Sequence, residues 1–290
     1  MTNPARRGRE EEPLVQGEYH FTEADFKAVA AMLHADAGIH LPSAKATLVY
    51  SRLAKRIRAL RLADFAAYVN LVASPEGKDE RINMLASLTT NVTRFFREPH
   101  HFDLLRTQIL EPLAASVKAG ARMRLWSAGC STGQEPYSIA MTLLSVIPEA
   151  TRLDVKILAT DIDPNVVQTG RNGIYNEDNV SPVPKEMRDR HLKRDRETGD
   201  WMVSPELRSL ITFNELNLIG DWPIKGKFDA IFCRNVVIYF EEPTQERIWG
   251  RYRQLMQPHA RLYIGHSERV NDPNFETDGL TTYRLKGRTP

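Results

Sequence analysis

The chain has 290 residues, 42% of them hydrophobic and 26% charged, with a formal net charge of +2. These proportions are ordinary for a globular protein with room for two domains, and a balance so near neutral does not by itself imply nucleic acid. No apolar run approaches the roughly 18 residues of a membrane span. The first residues hold no apolar core of a signal peptide, and the two cysteines, Cys130 and Cys233, have no metal-ligand spacing, so the reducing cytosol is the expected compartment.

Residues 1–18, arginines followed by glutamates, read as a flexible leader. Helical pattern begins where Thr22 precedes Glu23 and Asp25 as an N-cap, and Phe26, Val29, Ala30 and Leu33 keep helical spacing. A break at 38–42 leads to a second helix over about 44–61, with Leu48, Leu53, Ile57 and Leu60 as its expected buried side. That helix carries Lys45, Arg52, Lys55, Arg56, Arg58 and Arg61 and no acid. One reading is a solvated charged face; the other is a docking surface for an acidic partner, because exposed faces usually intersperse acids. Arg52, Lys55 and Arg56 share a face at 3.6 residues per turn and are the docking candidates. A helix with Phe65, Tyr68, Val69 and Leu71, a turn at 74–77 and a helix over 79–87 complete an N-terminal all-α domain, residues 19–90.

Residues 91–119 form a linker and connecting helix. The stretch over 88–102 mixes small hydroxyl residues with Phe95, Phe96, Arg94 and Arg97 and ends on His100 and His101. No third metal ligand follows the histidines at a useful spacing, so no metal is expected.

From residue 120 to 290 strands and helices alternate, the pattern of a Rossmann-like sheet. An apolar run ending at Ala128 enters a loop bracketed by Gly129 and Gly133, then a helix opening on Glu135 and Pro136. A P-loop would need lysine where Gln134 follows the second glycine, and a dinucleotide fingerprint would need a middle glycine that is missing. What remains is a loop suited to a nucleoside ligand without a polyphosphate, of which S-adenosylmethionine is the commonest. A strand over 155–160 ends on Asp161, placed to hold ribose hydroxyls, while Asp163 can instead cap the helix started by Pro164. Residues 173–210 interrupt the alternation with three prolines and a Thr-Gly-Asp turn before Trp201, which suggests a small hairpin. Strands over 210–213, 228–233 and 261–265 follow, with a last strand over 281–285. The tips carrying Gly129, Asp161, Asn217 and Arg234 fall on the carboxyl edge of a parallel sheet.

Five motifs in this order, Leu-Thr-Thr-Asn-Val-Thr-Arg-Phe-Phe-Arg, Trp-Ser-Ala-Gly-Cys-Ser-Thr-Gly-Gln-Glu-Pro-Tyr-Ser, Ala-Thr-Asp-Ile-Asp, Phe-Asp-Ala-Ile-Phe-Cys-Arg-Asn-Val-Val-Ile-Tyr-Phe and Gly-His-Ser-Glu, resemble the CheR family of chemotaxis receptor methyltransferases. The resemblance runs from about residue 21 to 285. It implies an N-terminal helical domain and an S-adenosylmethionine domain with a small β-subdomain inserted at about 173–210. It also implies methyl transfer to glutamates on the cytoplasmic helices of chemoreceptors, with S-adenosylhomocysteine as product. By family position Asn91, Thr93, Arg97, Glu135, Asp161, Asn217, Leu218, Cys233 and Arg234 would line the cofactor pocket, with Arg97 and Tyr239 nearest the chemistry. In some relatives the β-subdomain grips a receptor-tail pentapeptide; the turn Arg-Glu-Thr-Gly-Asp leaves this open here.

The implied chemistry asks little of catalytic groups. A glutamate with a reference pKa of about 4.3 is already an anionic nucleophile at neutral pH, and a sulfonium is an activated donor, so alignment and exclusion of water suffice. A nucleic-acid methyltransferase would present an Asp/Asn-Pro-Pro-aromatic motif where Cys233, Arg234, Asn235 and Val236 stand, and retention of Arg97 and Tyr239 argues against a non-catalytic binding module.

Overall fold

The computed structural model describes residues 12–287; the expected leader lies outside the described residues over 1–11. The chain divides into two compact units at Thr89/Thr90.

The first unit is helical. Helix α1 (Glu23–Ala37) starts at a capping box: the Thr22 hydroxyl accepts from the Asp25 N–H at 3.1 Å, and the Asp25 carboxylate accepts from the Thr22 N–H at 2.9 Å. Gly38, at φ 70°, ends it. Helix α2 (Ala46–Leu60) buries Ala46, Val49, Leu53, Ala54 and Ile57. Leu48 is only half-buried and Leu60 is exposed, because both fall at the margin of the stripe that the i, i+4 series 49, 53, 57 defines. Helices α3 (Phe65–Ala73) and α4 (Lys78–Leu88) complete the unit.

The basic residues of α2 are largely answered from other segments. Arg56 donates through Nε and a terminal nitrogen to both carboxylate oxygens of Glu80 on α4, at 2.9 and 2.5 Å, and the Tyr68 hydroxyl on α3 adds a bond to Glu80 at 2.9 Å. Arg52 donates to the carbonyls of Leu88 and Thr89 at 2.9 and 2.7 Å, closing the free carbonyl end of α4. Arg58 pairs with Glu18. The picture of an open basic face is thus corrected: of Arg52, Lys55 and Arg56, only Lys55 is exposed, and the two arginines are half-buried.

The second unit begins with α5 (His100–Leu105), a π-turn (Arg106–Leu110) and α6 (Glu111–Lys118). Pro112 lacks an N–H and its ring crowds the preceding turn; the chain widens there, so the N–H of Glu111 reaches the carbonyl of Arg106. Then follow β1 (Met123–Ala128), α7 (Gln134–Val146), β2 (Val155–Asp161), α8 (Pro164–Asn172), β3 (Ile174–Tyr175), α9 (Glu177–Val180), α10 (Lys185–His191), β4 (Leu192–Arg194), β5 (Trp201–Val203) and α11 (Pro205–Leu210). The unit closes with β6 (Ile211–Glu215), β7 (Phe228–Cys233), α12 (Glu242–Leu255), β8 (Met256–Ile264), β9 (Phe275–Thr277) and β10 (Thr282–Leu285).

Seven strands form one sheet in the order β6-β2-β1-β7-β8-β10-β9, the first five parallel and the last two antiparallel. Strand β1 faces β2 on one side and β7 on the other, so the order reverses there, the switch point where such sheets bind ligands. Residues of β1 alternate between two apolar clusters, Met123 and Leu125 in one, Trp126 and Ala128 in the other, as the pleat requires of a strand covered on both faces. Strands β3, β5 and β4 make a separate antiparallel sheet, with the expected hairpin turn at Gly199. Among the described residues no helix is long and apolar enough to cross a membrane.

Candidate functional site

The loop after β1 is shaped by three left-handed residues, Gly129 (φ 82°), Ser131 (φ 49°) and Gly133 (φ 96°). A Cβ at Gly129 would lie 2.2 Å from a methyl of Val236, and one at Gly133 would meet the Tyr175 hydroxyl at 2.8 Å and the Gly170 Cα at 2.9 Å. Both positions therefore require glycine for space as well as for φ. The Tyr175 hydroxyl, on β3, donates to the carbonyl of Thr132 at 2.7 Å, inside this loop.

Asp161, at the tip of β2, holds the loop from beside it. One carboxylate oxygen accepts from the Ser131 N–H at 2.8 Å and the other from the Asp163 N–H at 3.1 Å. Burial pushes its carboxyl above the usual range against these main-chain donors. Asp163 caps α8 by accepting from Asn165 N–H at 2.9 Å, and also takes the Asn91 side-chain amide at 2.9 Å. The Ser131 hydroxyl returns to the Asn91 carbonyl at 2.8 Å. Asn91 is thus stitched to both the glycine loop and the tip of β2.

The second knot centres on Arg234, just past β7. Its guanidinium donates to Glu135 on α7 at 2.9 Å and to the carbonyl of Arg97, lies 3.2 Å from a Glu98 oxygen, and leaves Nε without a partner. Glu135 also accepts from the Ser127 hydroxyl at 2.7 Å. Burial raises the Glu135 carboxyl above its usual range, and Arg234 only partly offsets it. Burial also works against the Glu98 charge, but Arg234, His266 and His101 outweigh it and hold that carboxyl low. Phe96 (φ 50°), Glu98 (φ 55°) and Asn235 (φ 60°) are non-glycine residues in the left-handed region, strain of the kind that gathers at working sites.

The other predicted residues fall as follows. Thr93 and Arg97 are half-buried on the loop between Asn91 and Glu98, and Arg97 donates to the carbonyl of Val92 at 3.1 Å. Asn217, beyond β6, accepts from the N–H of Ile219 at 3.1 Å, and Leu218 is buried beside it. Tyr239 is half-buried in a short 3-10 turn (Val237–Tyr239) after Arg234. The Cys233 thiol is fully buried in the apolar cluster with Trp126 and Tyr252, so only its main chain can face a ligand. None of these residues lines the cavity of about 580 Å³ that Tyr137, Arg171, Arg208 and Phe213 enclose at the outer edge of β6.

Glu98 supplies the third group that the sequence seemed to lack beside the histidines: ligand atoms of Glu98, His100 and His101 lie within 4.8 Å of one another. Two of the three already face other groups. The Arg234 guanidinium stands against Glu98, and His101, driven down to a pKa of about 3 by burial and by Arg234 and His100, shares its Nε2 with the Thr281 hydroxyl at 2.8 Å. A second carboxylate, Glu268, escaped the sequence reading as Glu98 did, although both stand inside or next to the quoted motifs.

The set of acceptors suits a cationic nucleoside ligand. An ionised carboxylate offers about four lone-pair sites. Glu135 uses two within the protein and Asp161 two or three, which leaves acceptor capacity on each.

The chain matches the family described as CheR methyltransferase, SAM binding domain, over residues 91–283, and that described as CheR methyltransferase, all-alpha domain, over residues 24–89. It is 52% identical to a probable chemotaxis protein methyltransferase of Rhizobium etli, over 87% of this chain and 96% of that one. It is 42% identical to chemotaxis protein methyltransferase 2 of Pseudomonas aeruginosa, over 87% and 88%, and 38% identical to the chemotaxis protein methyltransferase of Escherichia coli, over 91% of each.

Proposed function

The chain belongs to the CheR methyltransferase family, and from that premise we propose that it methylates glutamate side chains on the cytoplasmic helices of chemoreceptors. It is an S-adenosylmethionine-dependent methyltransferase of chemotaxis; the finer reading concerns the acceptor, the residues and the place of action, which is the cytoplasm. Residues 19–90 serve as the helical domain, 91–119 as the link, and 120–290 as the cofactor domain, whose insertion at about 173–210 is the element for a receptor-tail peptide.

The observation that carries this reading is the double stitching of the segment that follows Thr90 onto the carboxyl edge. Asn91 is bound to Asp163, and the Arg97 carbonyl to Arg234, so Asn91, Thr93 and Arg97 are gathered with Glu135, Asp161 and Arg234. When bound, S-adenosylmethionine supplies a methyl group already activated on a sulfonium. Glu135 holds the cofactor's ammonium, Asp161 accepts from the ribose, and Asn217, Leu218 and the main chain at Cys233 flank the adenosine. Arg97 and Tyr239 orient the acceptor carboxylate, which is ionised at neutral pH and needs no base and no metal. Alignment alone is worth about 7–11 kcal/mol of barrier in ideal cases.

A receptor-docking role on α2 rests on Lys55, with Arg52 and Arg56 acting from their internal bonds. Lys55→Glu should slow receptor methylation in low salt, less so as salt rises, with cofactor affinity unchanged. A normal rate in low salt would leave α2 as a solvated face. The function itself is tested with radiolabelled S-adenosylmethionine and competing acceptors, receptor cytoplasmic fragments and RNA. Base-labile label on the receptor fragment is expected; label on RNA, or base-stable label, would overturn the reading.

A further inference from the structure

Glu268 lies in a turn just after β8, and its carboxylate is the meeting point of four main-chain donors. The N–H groups of Asn235, Val236, Val237 and Gly265 reach it at 2.5 to 2.9 Å. Three of these belong to the segment directly after Arg234, where Asn235 is left-handed and a 3-10 turn three residues long begins. So short a turn cannot supply acceptors for its own first N–H groups. The same turn touches the other neighbour of Arg234: His266 Nδ1 lies 3.0 Å from a Glu98 oxygen. The approach is close enough that a Cβ at Gly265 would stand 2.5 Å from the Asn235 side-chain nitrogen and 2.8 Å from its main-chain nitrogen.

We propose that Glu268 is a positioning residue for methyl transfer: by gathering the N–H groups of 235–237 it fixes the segment that carries Arg234 and Tyr239. The inference rests on the reading of those two as site residues. Only a carboxylate fits the post. It presents two oxygens with about four lone-pair sites, whereas a glutamine keeps one oxygen and turns an NH₂ toward donors. Glu268→Gln therefore strands about half of the four N–H groups, and the segment loses the acceptor that fixes it.

The test joins amide hydrogen exchange, read by NMR, to steady-state kinetics. In the wild type the amides of 235–237 should be as protected as those of β7, and unprotected amides there would overturn the inference. In Glu268→Gln they should exchange at least about tenfold faster, and kcat should fall about 10- to 100-fold, the usual cost of a misplacement near 1 Å. KM for receptor fragments and affinity for S-adenosylhomocysteine should stay within about threefold, because Glu98 and Glu135 still hold Arg234. A normal kcat, or a loss that only tracks the unfolded fraction in a thermal melt, would refute it. Should Glu268→Gln fail to fold, Gly265→Ala keeps the carboxylate and displaces Asn235; it should lower kcat selectively, and an unchanged kcat would refute the inference. A wild type that methylates no receptor fragment would sink the receptor reading instead, and the exchange pattern would still decide for or against Glu268.

Discussion

Glu80 in the helical unit and Glu135 at the carboxyl edge each leave 8% of their surface to solvent, and each faces an arginine. Their carboxyls are nevertheless displaced in opposite directions. Burial works against the charge of both, but at Glu80 the Arg56 guanidinium, the Tyr68 hydroxyl and Asn83 outweigh it and bring the carboxyl below its usual range. At Glu135 burial wins, with Glu98 adding to it. The difference lies first in depth, Glu135 being enclosed on all sides and Glu80 lying nearer the surface, and then in the charge count. Arg56 serves one carboxylate through two nitrogens, while Arg234 is divided between Glu135, Glu98 and a carbonyl. The helical unit closes its electrostatics within itself. At the carboxyl edge one guanidinium is shared by two carboxylates, an arrangement that suits the cationic ligand proposed above.

The comparison can be broken at either arginine, and Arg234 should give the largest effect. Arg234→Met leaves two carboxylates facing each other without their cation and should lower stability by about 3–5 kcal/mol while abolishing cofactor binding. Thermal denaturation and calorimetry check both; a stable variant that binds cofactor would show that the shared guanidinium is dispensable. Arg56→Met should cost about 2–3 kcal/mol, less because this arginine is one-third exposed, and cofactor affinity should not change.

Glu135→Gln sharpens the contrast. Cofactor affinity should fall by about 1.5–3 kcal/mol, as when a hydrogen bond to a charged group is lost, with little loss of apo stability. The pH dependence follows from the two directions. Glu80, held low, contributes stability that is full above the ordinary value of 4.5 and is lost as the pH falls through its lower folded value. Glu135, held high, costs stability while ionised, and acidification relieves that cost; the same protonation removes the charge that a cationic ligand needs. Cofactor affinity should thus decline on acidification before the helical unit begins to melt, measured by calorimetry and circular dichroism across the same buffers. The reverse order would show that the charge count is wrong.

Tyr239→Phe should have the smallest effect, roughly a tenfold loss of turnover with unchanged cofactor affinity, if its hydroxyl orients the reacting groups. A collapse of affinity with normal turnover at saturation would make Tyr239 a binding residue.

Much of the sheet was legible because its signals are local. The strand runs, the glycine loop after Ala128, the Asp163-Pro164 helix start and the Thr-Gly-Asp turn each declare themselves within a few residues. What escaped was set by partners far apart in the chain. Arg56 looked unpaired because its acid stands 24 residues away on another helix, and Glu98 showed no role because Arg234 is 136 positions further on. Glu268 was invisible for a different reason. Its partners are main-chain N–H groups, which every residue but proline carries, so no residue type announced them. The π-turn before Pro112 was likewise a matter of hydrogen-bond register within an unbroken helical pattern.

Tyr175 bears on how this fold can be re-engineered. It belongs to the first strand of the inserted sheet, yet its hydroxyl is bonded to Thr132 and pressed close to Gly133 in the glycine loop. The insertion is therefore no interchangeable cassette. A graft cut at its strand boundaries would carry this tyrosine away and leave the Thr132 carbonyl without its donor, so a chimera that exchanges the insertion must keep the host's residue at 175 and take only the hairpin beyond it.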